Sequence, residues 1–281
     1  MNRDTLLIRF LYHTVPGRSI LKIVVQPRVS KKVGVFLNSR ISRWLIPLFV
    51  RRNRINLQEY EKKRYESFND FFIRKRCVEQ IDITPGHLIS PCDGFLSIYP
   101  VDKDSIYRIK HIEYNLIELL KDKELAEHFK GGKCLIFRLT PKHYHRYCYI
   151  CNGSRKRVRK IEGKLHCVRP VAYTSVPVFL ENSREYTEIQ ADYFERVVQM
   201  EIGALLVGKI HNYPGETKIV QGQEKGYFEF GGSTIVVLLE KNRIEIEKII
   251  QDQFRRKQEI EVHMGEKIGS FLEEGGKPGN E

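Results

Sequence analysis

The sequence predicts an α+β protein in which an N-terminal helical arm precedes a largely antiparallel β core. Two observations along the chain predict it. Over residues 1–64, greasy and cationic residues mix in short stretches interrupted at Pro16-Gly17, Pro27 and Pro47. Proline ends helices and pushes its predecessor toward extended backbone, so short broken helices are expected. From Ile89 onward, β-branched and aromatic runs are cut by glycine, the pattern of strands joined by turns. A third observation sets the scale: 281 residues with 41% hydrophobic and 11% aromatic content can bury a sizeable core, and this excludes a disordered or collagen-like chain.

Taken in order, the arm is followed by a short helix over residues 66–75, with Ser67 or Asn69 placed to cap it, and a turn at Thr84-Pro85-Gly86. Strands are expected at 95–99, 134–139, 144–150, 171–179, 194–202, 205–210, 227–230 and 234–239. Between them, Leu116, Ile117, Leu119, Leu120, Leu125 and Phe129 fall near helical spacing, so one helix over 115–129 interrupts the sheet. Residues 245–256 suit another. No internal repeat is visible, and the Gly/Glu-rich stretch 273–281 reads as a frayed tail.

The charge is local. Of the net +13, residues 1–64 carry +12, with fifteen Lys/Arg against Asp4, Glu59 and Glu61. Such a segment suits a nucleic-acid backbone or an anionic membrane surface, or is a helical subdomain whose charges are merely solvated. The groups between the cations favour the membrane over nucleic acid: Arg43-Trp44-Leu45-Ile46-Pro47-Leu48-Phe49-Val50-Arg51-Arg52 can place apolar side chains at the headgroup boundary. The longest apolar run in the first quarter, residues 44–50, is far short of the ~20 residues of a spanning helix. Neither a span nor a secretory signal is expected. Six scattered Cys do not suit a disulfide scaffold, and a reduced, intracellular protein is the expectation.

Three strings carry chemistry. Phe230-Gly231-Gly232-Ser233-Thr234 joins two strands through paired glycines, which leave the Gly232 carbonyl uncovered beside the Ser233 hydroxyl. That suits intramolecular attack, although Gly-Gly-Ser-Thr alone equally suits a hairpin turn. Leu139-Thr140-Pro141-Lys142-His143-Tyr144-His145-Arg146-Tyr147-Cys148-Tyr149-Ile150-Cys151 offers a general base and a cation. If it is a strand, His143 and His145 share one face. The Cys148/Cys151 pair has the CxxC spacing of zinc and redox sites, but no second pair completes a tetrahedral set. Ser90-Pro91-Cys92-Asp93-Gly94 puts a carboxylate in a turn before a strand.

In this order the strings resemble the phosphatidylserine decarboxylase family, whose members carry a Ser-Pro-x-Asp-Gly turn, a Tyr-His-Arg strand preceded by Leu-x-Pro, and a Gly-Ser-Thr cleavage motif. Phe68-Asn69-Asp70-Phe71-Phe72-Ile73-Arg74, the Gly-x-Leu-x-x-Val-x-Pro of residues 163–170, Asn182-Ser183-Arg184 and the closing turn of residues 262–269 are similar to further family segments. The resemblance implies a self-processing proenzyme. Ser233 would attack the Gly232 carbonyl, and cleavage between Gly232 and Ser233 would give a β chain of residues 1–232 and an α chain of residues 233–281, with Ser233 converted to a pyruvoyl group. That covalent cofactor would bind the substrate amine and accept electrons as carbon dioxide leaves phosphatidylserine. No metal is required.

The resemblance also assigns roles. Asp93 is similar to the aspartate that supports the histidine base for cleavage, and His145 to the histidine of Tyr-His-Arg. Many members have a second histidine where this chain has Cys148, and an aspartate where it has His143. The base is therefore His145, another histidine such as His143 or His166, or Cys148; an imidazole near pKa 6.5 suits proton transfer better than a thiol near 8.5. The implied organisation is a membrane-docking arm (1–64) and a decarboxylase core (65–281), peripheral on the cytoplasmic side of the cell membrane, with phosphatidylserine, an anionic bilayer and the chain's own two fragments as partners and no nucleic acid. The alternatives are a non-processing lipid- or nucleic-acid-binding homologue and a CxxC zinc or redox protein.

Overall fold

A computed structural model describes residues 3–61, 64–77, 80–109, 111–169, 172, 176–204, 209–230 and 233–272. The helices are α1 (Arg3–His13), α2 (Val15–Val24), α3 (Pro27–Leu37), α4 (Leu45–Asn53), α5 (Phe68–Phe72), α6 (Leu116–Leu120), α7 (Lys123–Glu127), α8 (Val178–Glu181) and α9 (Lys248–Lys257), with a 3₁₀ segment at Arg40–Trp44. The first strands are β1 (His87–Ile89), β2 (Gly94–Pro100), β3 (Ile106–Ile109), β4 (Ile112–Asn115), β5 (Lys133–Leu139), β6 (Arg146–Cys148), β7 (Gly153–Ile161) and β8 (Arg184–Ala191). The rest are β9 (Glu195–Ile202), β10 (Ile210–Asn212), β11 (Lys218–Ile219), β12 (Glu224–Phe228), β13 (Ser233–Leu239), β14 (Ile244–Ile246), β15 (Ile260–Val262) and β16 (Lys267–Phe271).

An eight-stranded sheet, ordered β11-β7-β8-β9-β13-β5-β2-β15, forms the middle layer, and its neighbouring strands are antiparallel. Residues of β13 alternate between its faces. Val236 and Leu238 pack toward α1, α2, α6, α7 and α8, through residues such as Leu11, Leu21, Leu119 and Phe179. Ile235, Val237 and Leu239 pack toward the β10-β12-β6 and β1-β16-β14 sheets and α9. The α+β class is therefore realised as three layers.

The arm belongs to this core. Leu11, Tyr12, Leu21 and Val25 are buried with core residues, the Cys167 N–H donates to the Tyr12 hydroxyl at 2.8 Å, and the Leu165 N–H donates to the Val25 carbonyl at 3.0 Å. Its prolines begin helices rather than end them. Pro16 and Pro27 stand in the first turns of α2 and α3, where a missing N–H costs nothing, and Pro47 lies inside the first turn of α4. Among the described residues no single helix is long and apolar enough to cross a membrane; α3 and residues 40–53 meet that test only as a pair bent by 75°.

Other expectations change in detail. Ser67 caps α5 by accepting from the Asp70 N–H at 3.1 Å, which releases Asn69. The 115–129 helix is two helices, because Lys121 adopts a left-handed conformation and Asp122 caps a new start through the Leu125 N–H. Of the strand expected at 144–150 only residues 146–148 form a strand, and residues 144–145 are irregular backbone that follows a turn at 141–142. The strand expected at 171–179 is not seen: Val178 opens α8, and residues 171 and 173–175 lie outside the described residues, as do 205–208 and 273–281. The strand expected at 227–230 starts earlier and ends at Phe228, and α9 begins only at Lys248 because 244–246 is β14.

Arg184 ties the sheet to the helical layer. It is 2% exposed, and its guanidinium donates to the carbonyls of Glu118, Leu119, Leu180 and Asn182 at 2.7–3.0 Å, the unsatisfied C-terminal ends of α6 and α8. Burial lowers its pKa to about 10, which still leaves it charged at neutral pH. Lysine has three donors and no planar fork. Arg184→Lys should therefore strand buried carbonyls and cost roughly 2 kcal/mol or more of stability. Urea unfolding measures this, and a loss below about 0.5 kcal/mol would contradict it.

Candidate active site

Ser233 opens the central strand. It stands opposite Leu139 of β5, and the ladder then runs unbroken to Leu239 opposite Lys133. Among the described residues, the buried Ser233 Oγ has no hydrogen-bond partner, and neither has the Thr234 Oγ1. Such a hydroxyl forgoes the hydrogen bond it would have in water, a cost of about 1–3 kcal/mol. By alternation Ser233 shares the face of Ile235, the face that packs against Tyr147 and Phe228. Gly231 and Gly232, the remainder of the sequence motif, lie outside the described residues.

His145 lies at the end of the β12–β6 ladder, where its carbonyl accepts from the Phe228 N–H at 2.9 Å. Phe72 bridges it to the segment before Ser233: its ring centroid is 4.1 Å from that of His145 and 5.1 Å from that of Phe230. His145 Nδ1 is 2.9 Å from the His143 carbonyl. A carbonyl only accepts, so Nδ1 carries the proton and Nε2 of the neutral ring keeps its lone pair. His145 thus has the tautomer of a base at Nε2.

The three other candidates are committed elsewhere. His143 Nδ1 accepts from the Thr140 N–H at 3.1 Å, so its proton is on Nε2, which faces Glu261 at 3.5 Å. Burial, followed by the Lys142 charge, lowers its pKa to about 4. His166 is fixed on the helical side, with Nδ1 3.3 Å from the Tyr12 hydroxyl and Nε2 3.3 Å from Glu181. The Cys148 Sγ points at the Ser90 carbonyl at 3.9 Å, among Tyr60, Ile89, Tyr144 and Met264. A thiol donating to a carbonyl keeps its proton. Cys151 packs into a different apolar cluster, and burial raises its pKa to about 12. This arrangement does not suit a shared metal or a reactive pair.

Asp93 departs from its expected contact. Its carboxylate takes both Nη atoms of Arg76 and the Met264 N–H at 3.0 Å, with His263 Nδ1 at 3.9 Å, and no direct bond to His145 is present among the described residues. The planar guanidinium fork matches a carboxylate better than one imidazole N–H. The Asp93 charge still acts on His143, opposing the downward shift of its pKa. Arg76 itself stacks over Tyr144, whose ring neighbours Tyr60. The Asp93 turn is locked to the closing turn of the core: the Ser90 N–H donates to the Glu266 carbonyl at 2.8 Å and the Gly265 N–H to the Ser90 carbonyl at 2.9 Å. Nothing in the sequence singled out Arg76.

A cavity of about 610 Å³ lies between α3 and the core. Lys31, Val35 and Asn38 of the arm side face Asn69, Lys209 and Phe230 across it. Segments that are distant in sequence converge here. Leu165, Ser183 and Arg184, from two further motifs, also reach its wall.

Comparison with known proteins agrees with these motifs. The family model for phosphatidylserine decarboxylase matches residues 68–270. Similar proteins include phosphatidylserine decarboxylase proenzyme 2 of Clostridium acetobutylicum, 43% identical over 93% of this chain and 91% of the relative. The phosphatidylserine decarboxylase proenzyme of Ruminiclostridium cellulolyticum is 39% identical over 95% and 92% of the two chains. That of Clostridium botulinum strain Alaska E43 is 37% identical over 94% and 92%.

The depressed His143 pKa has a consequence for acid stability. An unfolded histidine titrates near 6.5, so between pH 6.5 and about 4 the unfolded chain binds a proton that the folded chain refuses. Stability contributed by neutral His143 is complete above pH 6.5 and declines as pH falls toward 4. His166, whose pKa burial also lowers, acts in the same direction. Urea midpoints measured from pH 7 to 4 should fall, and the decline should be shallower in His143→Gln.

Proposed function

The chain belongs to the phosphatidylserine decarboxylase family, and on that premise we propose that it converts phosphatidylserine to phosphatidylethanolamine with a pyruvoyl group made from its own Ser233. The observation that carries this is the buried Ser233 hydroxyl at the start of the central strand, immediately after Gly232 and with no hydrogen-bond partner among the described residues.

In this mechanism His145 Nε2 takes the Ser233 proton as Oγ attacks the Gly232 carbonyl. The proton passes to the departing nitrogen, which leaves an ester. Loss of the α proton of residue 233 expels the Gly232 carboxylate, and tautomerisation and hydrolysis of the resulting enamine release ammonia. A pyruvoyl group at residue 233 would supply a carbonyl for the substrate amine and an electron sink for the loss of the carboxylate. Residues 1–232 and 233–281 stay together because β13 is hydrogen-bonded to β5 and β9 along its length. Asp93, held by Arg76, fixes the turn beside this site rather than acting as a direct relay.

The arm supplies access to a two-tailed substrate. Val35, Ile41, Trp44 and Leu48 are each at least 60% exposed, and Arg40, Arg43 and Arg51 stand among them. Each cation near an anionic surface adds ~1 kcal/mol of attraction. We assign the protein to the cytoplasmic face of the cell membrane as a peripheral enzyme. The cavity beneath α3 takes the headgroup, with Lys31 and Lys209 placed for its phosphodiester.

Intact mass spectrometry tests the cofactor and the cleavage site together. A 49-residue fragment with a blocked pyruvoyl terminus is expected, and a chain that stays whole would refute the reading. General acid–base catalysis contributes roughly 10²–10⁴-fold, so His145→Ala should process at least about a hundredfold more slowly. Cys148→Ala should process normally; the reverse pattern would make the thiol the base.

Sedimentation with vesicles tests the arm. Replacing Ile41, Trp44 and Leu48 with Glu should reduce binding to phosphatidylserine-containing vesicles at least tenfold while leaving the thermal midpoint nearly unchanged, because these side chains already face solvent. Unaltered binding would place the membrane contact elsewhere.

A further inference from the structure

Asn69 is 4% exposed, and with Ser67 capping α5 the helix does not need it. Its amide is used at both ends. The Phe230 N–H donates to Asn69 Oδ1 at 3.1 Å, and Asn69 Nδ2 donates to Asn38 Oδ1 at 3.1 Å. Asn38, the residue after α3, donates its own Nδ2 to the Gly34 carbonyl at 2.9 Å. The two amides orient each other: the Gly34 carbonyl fixes the Asn38 NH₂, which turns the Asn38 oxygen to Asn69, and that turns the Asn69 oxygen to Phe230. A carboxamide is required at position 69, since aspartate would only accept and leucine would do neither.

The relay ends three residues before the nucleophile. Phe230 is also held by rings, with centroids of Phe68 at 5.0 Å, Phe72 at 5.1 Å and Phe49 of α4 at 6.0 Å. Downstream, Ser233 is pinned opposite Leu139. The relay and the ring contacts hold the chain on one side of the proposed attack site, and the β13–β5 ladder holds it on the other. Intramolecular attack gains its rate from such restriction.

We propose that Asn38 and Asn69 are positioning residues for self-processing, a hydrogen-bonded relay that makes the N-terminal arm part of the processing site. The inference rests on the reading of Ser233 as nucleophile. It concerns the attack step, in which the Ser233 Oγ–carbon bond forms, the Gly232–Ser233 carbon–nitrogen bond breaks and the hydroxyl proton ends on the nitrogen.

The test is the first-order rate of processing of freshly synthesised full-length chain, followed by electrophoresis, with thermal midpoints measured in parallel. Asn69→Leu and Asn69→Asp should slow it tenfold or more, and Asn38→Ala, at the exposed rim, about threefold with an unchanged midpoint. Hydroxylamine adds a readout that a merely structural role would not move. It splits an accumulated ester, so slow attack predicts no acceleration in these variants, and rapid hydroxylamine cleavage would overturn the proposal by placing the defect after attack. Wild-type rates in Asn69→Leu and Asn38→Ala would also overturn it. Should Asn69→Leu fail to fold, the rate of Asn38→Ala decides. A wild-type chain that never cleaves would instead remove the reading of Ser233, and the relay's role with it.

Discussion

Strand β13 is hydrogen-bonded along both edges and buried on both faces, and this double confinement is the constraint on which the rest of the structure depends. Such a strand has no freedom to turn its first side chain toward a partner. Ser233 is buried at its head, and the hydrogen bond its hydroxyl lacks among the described residues is tolerated because moving the strand would break two ladders at once. The same ladders would keep the sheet intact if the backbone were broken at the strand's first residue.

The surrounding histidines show how the backbone sets chemistry. Two imidazoles two residues apart acquire opposite tautomers, because one meets an N–H at Nδ1 and the other a carbonyl. The distinction comes from residues 140–145, where a turn closed by the His143 N–H on the Thr140 carbonyl at 2.9 Å leads into irregular backbone, so the strand expected from residue 144 begins only at Arg146. In a strand the two rings would have shared a face. In the turn His143 faces Phe95 and Glu261, while His145 stacks on Phe72.

The family was legible in the sequence because several short strings occur in one order; a single string such as Gly-Gly-Ser-Thr suits a hairpin turn as well and decides nothing alone. Contacts between distant strings were not legible. Arg76 reaches Asp93 and Asn69 reaches Phe230 only because the core closes over α5, and neither pairing leaves a local signal. Among the elements, β7 was missed because Arg155, Lys156, Arg157, Arg159 and Lys160 hide its alternation; Arg157 is balanced by Asp122 and Glu188. Strand β8 was missed for a related reason, since its buried positions include Arg184, Thr187 and Glu188. The prolines of the arm were read as breaks, yet proline at a first helical turn pre-sets the backbone for the helix that follows.

The way α1 and α2 contribute Leu11, Tyr12, Leu21 and Val25 to the main core bears on how the protein can be handled. A protein with exposed apolar residues near one end is commonly made tractable by trimming that end. Here such a trim would uncover the apolar layer that α1 and α2 cover, and the shortened chain would expose new greasy surface in place of the old. Changing outward residues of the following segment, such as Ile41, Trp44 and Leu48, leaves that cover in place, because the roof of the core is built by α1 and α2 while these side chains face outward.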